Sequence, residues 1–241
     1  PNELLHAATT AAEAAGRFLR TVDRPADPAG WVAKGRADWA TEVDRESERI
    51  ITDLLARAVP GSRVVGEELS PDIVTDGLVW IVDPLDGTTN FLHGIPMFAV
   101  SIGLERQGQI VAGVIYNPAT DELYTAEKGK GAYMNDRRVR VAARKTLADA
   151  LLTTGIPHRG RPGHPRFLKE MDSVMKEVAG IRRTGSAALD LAWVAAGRFD
   201  GTKVGRIMAE TVVNLGDLAT KGDAAQQPPP QDHHQHRQYR P

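Results

Sequence analysis

Trp80-Ile81-Val82-Asp83-Pro84-Leu85-Asp86-Gly87-Thr88-Thr89-Asn90-Phe91 carries an apolar run into a turn that holds two carboxylates three residues apart. The run from Leu78 to Val82 is short, apolar and β-branched, the pattern of a buried strand. Pro84 fixes φ between the two aspartates and removes a backbone N–H, so the turn is stiff. Two hard oxygen donors held this closely suit a hard divalent cation such as Mg²⁺, and the Leu85 carbonyl can add a third oxygen. Asp86 reads as an N-cap, after which Gly87-Thr88-Thr89 would open a helix whose N–H groups receive a phosphate. Metal ligands beside a phosphate cradle are what metal-assisted phosphoryl transfer to water requires.

Working upstream, a third carboxylate lies in Gly66-Glu67-Glu68, directly after a second strand-like run, Arg63 to Val65. Pairing of the two strands, parallel or antiparallel, would set it beside Asp83; standing alone, an acidic pair of this kind is ordinarily a solvated loop. Val43, Ile50, Ile51, Leu54, Leu55 and Ala58 recur at helical spacing up to the stop at Pro60-Gly61. Leu4, Ala8, Ala11, Ala15, Phe18 and Leu19 do the same behind Asn2, which predicts a capped helix over 3–20.

Downstream, strand-like stretches cover Ala99 to Glu105, Ile110 to Tyr116, Glu122 to Ala126 and Ala132 to Met134. They are separated by Gln107-Gly108, Asn117-Pro118 and Gly129-Lys130-Gly131, which predicts an antiparallel meander. A further strand is expected over Ala150 to Thr154, with helices over Arg166 to Val178 and Ser186 to Ala196. Helices and strands arranged in blocks suit a mixed α/β sandwich better than a doubly wound sheet.

Composition narrows the chemistry. Cysteine is absent, which excludes a disulfide framework, a thiolate metal site and a cysteine nucleophile. The 30 basic and 31 acidic side chains nearly cancel, so bulk attraction to nucleic acid or an anionic membrane is not expected and a small-molecule partner is. No span reaches the length of a membrane helix and no leader pattern opens the chain; the expected compartment is the cytoplasm.

Taken together, Gly66-Glu67-Glu68 and Asp83-Pro84-Leu85-Asp86-Gly87-Thr88 resemble the signature of the inositol monophosphatase family of Mg²⁺-dependent, lithium-sensitive sugar-phosphate phosphatases. The resemblance implies that Glu67, Asp83 and the Leu85 carbonyl hold one Mg²⁺, that Asp83 and Asp86 hold part of a second, and that Gly87 and Thr88 hold phosphate. The segment from Lys34 to Asp44 is similar to the family's lysine-bearing segment, whose last aspartate bonds the threonine of the Asp-Gly-Thr turn. Asp44, Thr88 and Glu67 would therefore orient the attacking water, while Asp38 and Thr41 also suit ordinary helix capping. Arg182-Arg183-Thr184-Gly185-Ser186-Ala187-Ala188 resembles the family segment that meets the sugar ring, which makes Gly185 and Ala187, with Asp86, the expected substrate contacts.

The implied fold is an α+β, mixed layered sandwich (α-β-α-β-α) of the sugar-phosphatase type with an incomplete C-terminal part. The expected division is an N-terminal half over 1–145 with the site, the start of a C-terminal α/β half over 146–201, and a divergent, disordered tail over 202–241 whose end, Ala224 to Pro241, is rich in Gln, Pro and His. Past residue 201 the family's Trp-Asp helix, with its further ligand to the second metal, is not found, and neither Glu210 nor Asp217 has the right neighbours. The departure reads as a frameshift, an assembly error or a natural truncation that impairs the second metal site. The expected function is hydrolysis of inositol monophosphate or a related sugar phosphate by water, in a homodimer. Alternatives are fructose-1,6-bisphosphatase, histidinol phosphatase and bisphosphate nucleotidase activities, or a non-catalytic regulatory protein of the same fold.

Overall fold

The computed structural model of the 241-residue chain describes residues 3–24, 32–33, 39–69, 77–157 and 162–203. The expected cap Asn2, the segment holding Lys34 and Asp38, and everything expected beyond residue 203 lie outside the described residues.

Two N-terminal helices form one outer layer. Helix α1 (Glu3–Thr21) buries a stripe of small residues, Ala7, Ala8, Ala11, Ala12, Ala15 and Gly16, closed by Leu19. After the short antiparallel strands β1 (Val32–Ala33) and β2 (Trp39–Ala40), helix α2 (Glu42–Ala58) starts at an N-cap, Thr41, and buries Val43, Ile51 and Leu55. A capping box fixes that start: the Asp44 N–H donates to Thr41 Oγ1 at 3.2 Å and the Thr41 N–H donates to Asp44 Oδ2 at 3.0 Å.

These helices cover one face of a sheet ordered β3-β4-β5-β6-β7-β8-β9. Its strands are β3 (Arg63–Gly66), β4 (Leu78–Asp86), β5 (Ala99–Arg106), β6 (Gln109–Asn117), β7 (Glu122–Glu127), β8 (Gly131–Met134) and β9 (Arg137–Arg138). From β4 onward every neighbour is antiparallel, as the turn residues predict, whereas β3 joins β4 in parallel. Between β4 and β5 lies the short helix α3 (Thr88–Leu92).

Burial on both faces explains why the central strands read as continuous apolar runs. In β5, Val100, Ile102 and Leu104 meet α1 and α2, while Ala99 meets the opposite layer; in β6, Val114 and Tyr116 face one way and Ile115 the other. The opposite layer is α5 (Ala187–Ala195), whose Ala188, Leu189 and Ala192 pack on Ile115, Tyr124 and Ala126.

Beyond α5 a second, parallel sheet is ordered β11-β10-β12, from β10 (Leu151–Thr154), β11 (Gly180–Arg182) and β12 (Gly201–Lys203). Helix α4 (His164–Met175) lies over it, with Phe167, Met171 and Val174 facing Leu152 and Ile181 across a cavity of about 250 Å³. The order helix, sheet, helix, sheet, helix is the expected five-layer α+β arrangement. Helix α4 begins two residues before the Arg166 expected from periodicity, because Gly163 turns the chain at φ 103° and Pro165 suits a first helical turn.

Gly16 marks the closest approach of α1 to the sheet, where a Cβ would overlap the ring of Tyr116. That ring cannot easily retreat, since Tyr116 is buried and its hydroxyl donates to Asp121 Oδ1 at 2.7 Å. Gly16→Ala gains about 1 kcal/mol of helix propensity but meets an overpacking cost of about 1–3 kcal/mol. A lower urea midpoint is therefore expected, and a raised midpoint would contradict this packing.

Candidate functional site

The site grows out of the C-terminal end of β4. Strand β3 stays in parallel register with β4 as far as Gly66 opposite Val82, so the chain leaving β3 sets Glu67 level with Asp83. On its other edge β4 pairs Asp83 with Ser101 and then Asp86 with Ala99, an extra residue that makes a bulge at Pro84 and Leu85. Proline suits the bulge because it has no N–H to leave unpaired. The bulge is tied down at three points: the Leu85 N–H donates to Asp83 Oδ1 at 3.2 Å, Ser47 Oγ donates to the Pro84 carbonyl at 2.9 Å, and Thr88 Oγ1 donates to the Leu85 carbonyl at 3.0 Å.

Gly87 follows at φ 91° and caps α3. A Cβ there would lie 2.8 Å from the Met97 carbonyl and 3.4 Å from the Gly185 carbonyl, so three chain segments meet at a point that excludes a side chain. Asp86 does not cap α3 as its sequence position implies. It is still a strand residue, and its buried carboxylate turns the other way, accepting from Ser186 Oγ and from the Ala188 N–H at 2.8 Å at the start of α5. A carboxylate is favoured there because the first N–H groups of a helix lack partners within it.

Helix α2 supplies the floor. Asp44, Ser47 and Glu48 lie on its buried face, each under 3% exposed. Asp44 Oδ1 accepts from Thr88 Oγ1 at 3.0 Å, the pairing implied by resemblance. Glu48, which the sequence reading passes over, accepts the Glu68 N–H at 2.7 Å and the Leu69 N–H at 3.0 Å. Its signal was present: Asp44 and Glu48 stand four residues apart, in line with Ile51 and Leu55, and carboxylates on an apolar stripe need partners. Asn90 was also missed; its Nδ2 donates to the Met97 carbonyl at 2.6 Å and the Thr184 carbonyl at 2.8 Å, joining the turn after β4 to the approach of α5.

Like charge accumulates here. Burial, then the Glu67 and Asp86 charges and more weakly that of Asp44, push the Asp83 carboxyl well above the usual range against the pull of the Leu85 N–H. Burial also raises Asp86, to about 6, against donors from Ser186, Ala188 and Ala187. The structure thus brings together Glu67, Asp83, the Leu85 carbonyl, Asp86, Gly87, Thr88 and Asp44, with Gly185 and Ala187 at the edge. Among the described residues no three carboxylate or histidine side chains are already drawn into a closed metal cage.

Residues 1–208 match the profile of the inositol monophosphatase family. The inositol-1-monophosphatase of Rhizobium meliloti (strain 1021) is 63% identical over 169 residues, which are 70% of this chain and 64% of that protein, so the chain spans less than two thirds of that relative's length. The Nus factor SuhB of Pseudomonas aeruginosa is 42% identical over 203 residues, 82% of this chain and 74% of that one. Among solved structures, the extragenic suppressor protein suhB of Bartonella henselae superposes with a TM-score of 0.81 at 49% identity, covering 91% of this chain and 84% of that one.

The raised Asp86 carboxyl has a thermodynamic consequence in the absence of divalent cations. Its folded value, about 6, lies above that of the unfolded chain, so between pH 4 and 6 the folded form keeps a proton that the unfolded form has released. Asp86 therefore contributes stability at low pH that is lost as pH rises through this window. In EDTA, Asp86→Asn should flatten the fall in denaturation midpoint between pH 4 and 6 relative to the parent; equal slopes would contradict the assignment.

Proposed function

The chain belongs to the inositol monophosphatase family, and on that premise we propose that it is a Mg²⁺-dependent phosphomonoesterase acting on inositol monophosphate or a related sugar phosphate. The observation that carries the reading is the gathering of Glu67, Asp83 and Asp86 at the end of β4, where the Thr88 hydroxyl lies 3.0 Å from both the Leu85 carbonyl and Asp44.

The donors fit the ion. They are all oxygen, three of them are carboxylates, and burial together with the Glu67 and Asp86 charges raises the Asp83 carboxyl, so a hard cation would relieve the repulsion among them. Glu67, Asp83 and the Leu85 carbonyl would hold one Mg²⁺, and Asp83 and Asp86 part of a second. When bound, Mg²⁺ makes a water more acidic and offsets negative charge on the phosphoryl and leaving oxygens.

The chain's own groups have distinct tasks in this proposal. Thr88 Oγ1 gives its proton to the hydrogen bonds it makes with Asp44 and the Leu85 carbonyl, which leaves its oxygen to accept from the attacking water. Glu67 accepts the second proton of that water, so the lone pair is turned toward phosphorus. The backbone at Gly87 and Thr88 holds phosphate oxygens, and Gly185 and Ala187 border the sugar ring. The absence of cysteine is consistent with direct attack by water. We place the protein in the cytoplasm and, on the strength of the family resemblance, as a homodimer.

A second reading is favoured by the suhB relatives: a binding protein of the same fold whose partner capture needs no metal. Phosphate release from inositol 1-phosphate that requires Mg²⁺ and is inhibited by Li⁺ supports the enzyme; partner capture that persists in EDTA without phosphate release supports the binder.

Within the enzyme reading, Asp83→Asn should reduce Mg²⁺-dependent turnover to background with the fold kept. Glu67→Gln and Thr88→Ala should each lower kcat by about 10²–10⁴-fold and change KM much less. Parental turnover in Asp83→Asn, or an effect of either other variant confined to KM, would contradict these roles.

A further inference from the structure

Glu48 is fully buried, yet neither oxygen points at the site. One takes the Glu68 N–H and the other the Leu69 N–H, the two amides that come directly after Glu67. On the other side of Glu67, Gly66 has no side chain because the Glu48 carboxylate occupies the space where a Cβ would stand. Glu67 therefore sits between a glycine packed on this carboxylate and two amides bonded to it.

We propose that Glu48 is a positioning residue, whose buried carboxylate clasps the backbone on both sides of Glu67 and so sets Glu67 opposite Asp83. A strand end leading into a loop would otherwise leave these amides to water and let Glu67 swing away from Asp83. The neighbouring contacts on α2 make the same kind of hold on other segments, Ser47 on the Pro84 carbonyl and Asp44 on Thr88, so one helix face registers three parts of the site. Glutamine keeps the size of Glu48 but presents an –NH₂ to one of the two N–H donors, which leaves that donor without an acceptor.

The effect on cation binding rests on the phosphatase reading, whereas the hold on the loop does not, so the test reads both in the full chain. Amide hydrogen exchange at Glu68 and Leu69 should be slow in the parent and fast in Glu48→Gln, with exchange in β5 and β6 unchanged. The Mn²⁺ midpoint followed by electron paramagnetic resonance should rise by about 10–100-fold, and excess Mg²⁺ should restore much of the lost turnover. Gly66→Ala, which displaces the same carboxylate from the other side, should reproduce this pattern and serves if Glu48→Gln does not fold. Arg144→Ala, which breaks a tie to Asp200 at the edge of the second sheet, should lower thermal stability without moving the Mn²⁺ midpoint. Parental exchange at both amides would overturn the proposal, and so would lost protection with an unchanged Mn²⁺ midpoint. A parent that neither binds Mn²⁺ nor releases phosphate would instead contradict the phosphatase reading, and the exchange comparison would then decide the role of Glu48 alone.

Discussion

The Asp44 carboxylate acts in two directions. Its Oδ2 accepts from Thr41 and closes the capping box that starts α2, while its Oδ1 accepts from Thr88 in the turn after β4. The start of a helix and the proposed reaction centre are thereby held by one side chain at hydrogen-bond tolerance. Everything else on that face of α2 inherits the registration: Ser47 reaches the bulge one turn later, and Glu48 the loop after β3. Secondary structure supplies the rigidity and side chains convert it into position, which is what a site needing sub-ångström placement demands.

Against that scaffold stands a crowd of carboxyl groups. Asp83 faces the charges of Glu67 and Asp86, and the Leu85 N–H donates to it at 3.2 Å. Asp86, by contrast, is neutralised in part by the first turn of α5. The two aspartates of one motif thus have different environments: one is crowded by like charge, and the other is shared between the site and the helix that begins just past Gly185. Asn90 and Gly87 complete the join, since both meet the chain near residues 184 and 185.

Much of this was legible in the residues. The periods of α1 and α2, the meander from Ala99 to Met134 and the convergence of Glu67, Asp83 and Thr88 all stem from spacing and from the motif. Spacing does not encode the direction of the β3 and β4 pairing, which depends on the path of the connecting segment. An aspartate before Gly-Thr-Thr normally caps the helix that those residues open, but at Asp86 a tertiary contact about a hundred residues away in sequence takes precedence. Periodicity counts Glu48 and Ser47 only as polar interruptions of a stripe, because their partners lie in distant segments, the loop after β3 and the bulge of β4.

The central claim is that a divalent cation completes the carboxylate cluster at the end of β4. Crystals of the full chain grown with Mn²⁺ in place of Mg²⁺ and measured at the manganese edge test it most directly. The account predicts an anomalous peak bonded by Asp83, Glu67 and the Leu85 carbonyl at about 2.1 Å, with Thr88 still hydrogen-bonded to Asp44. No peak within reach of both Asp83 and Glu67 at saturating Mn²⁺ would contradict it.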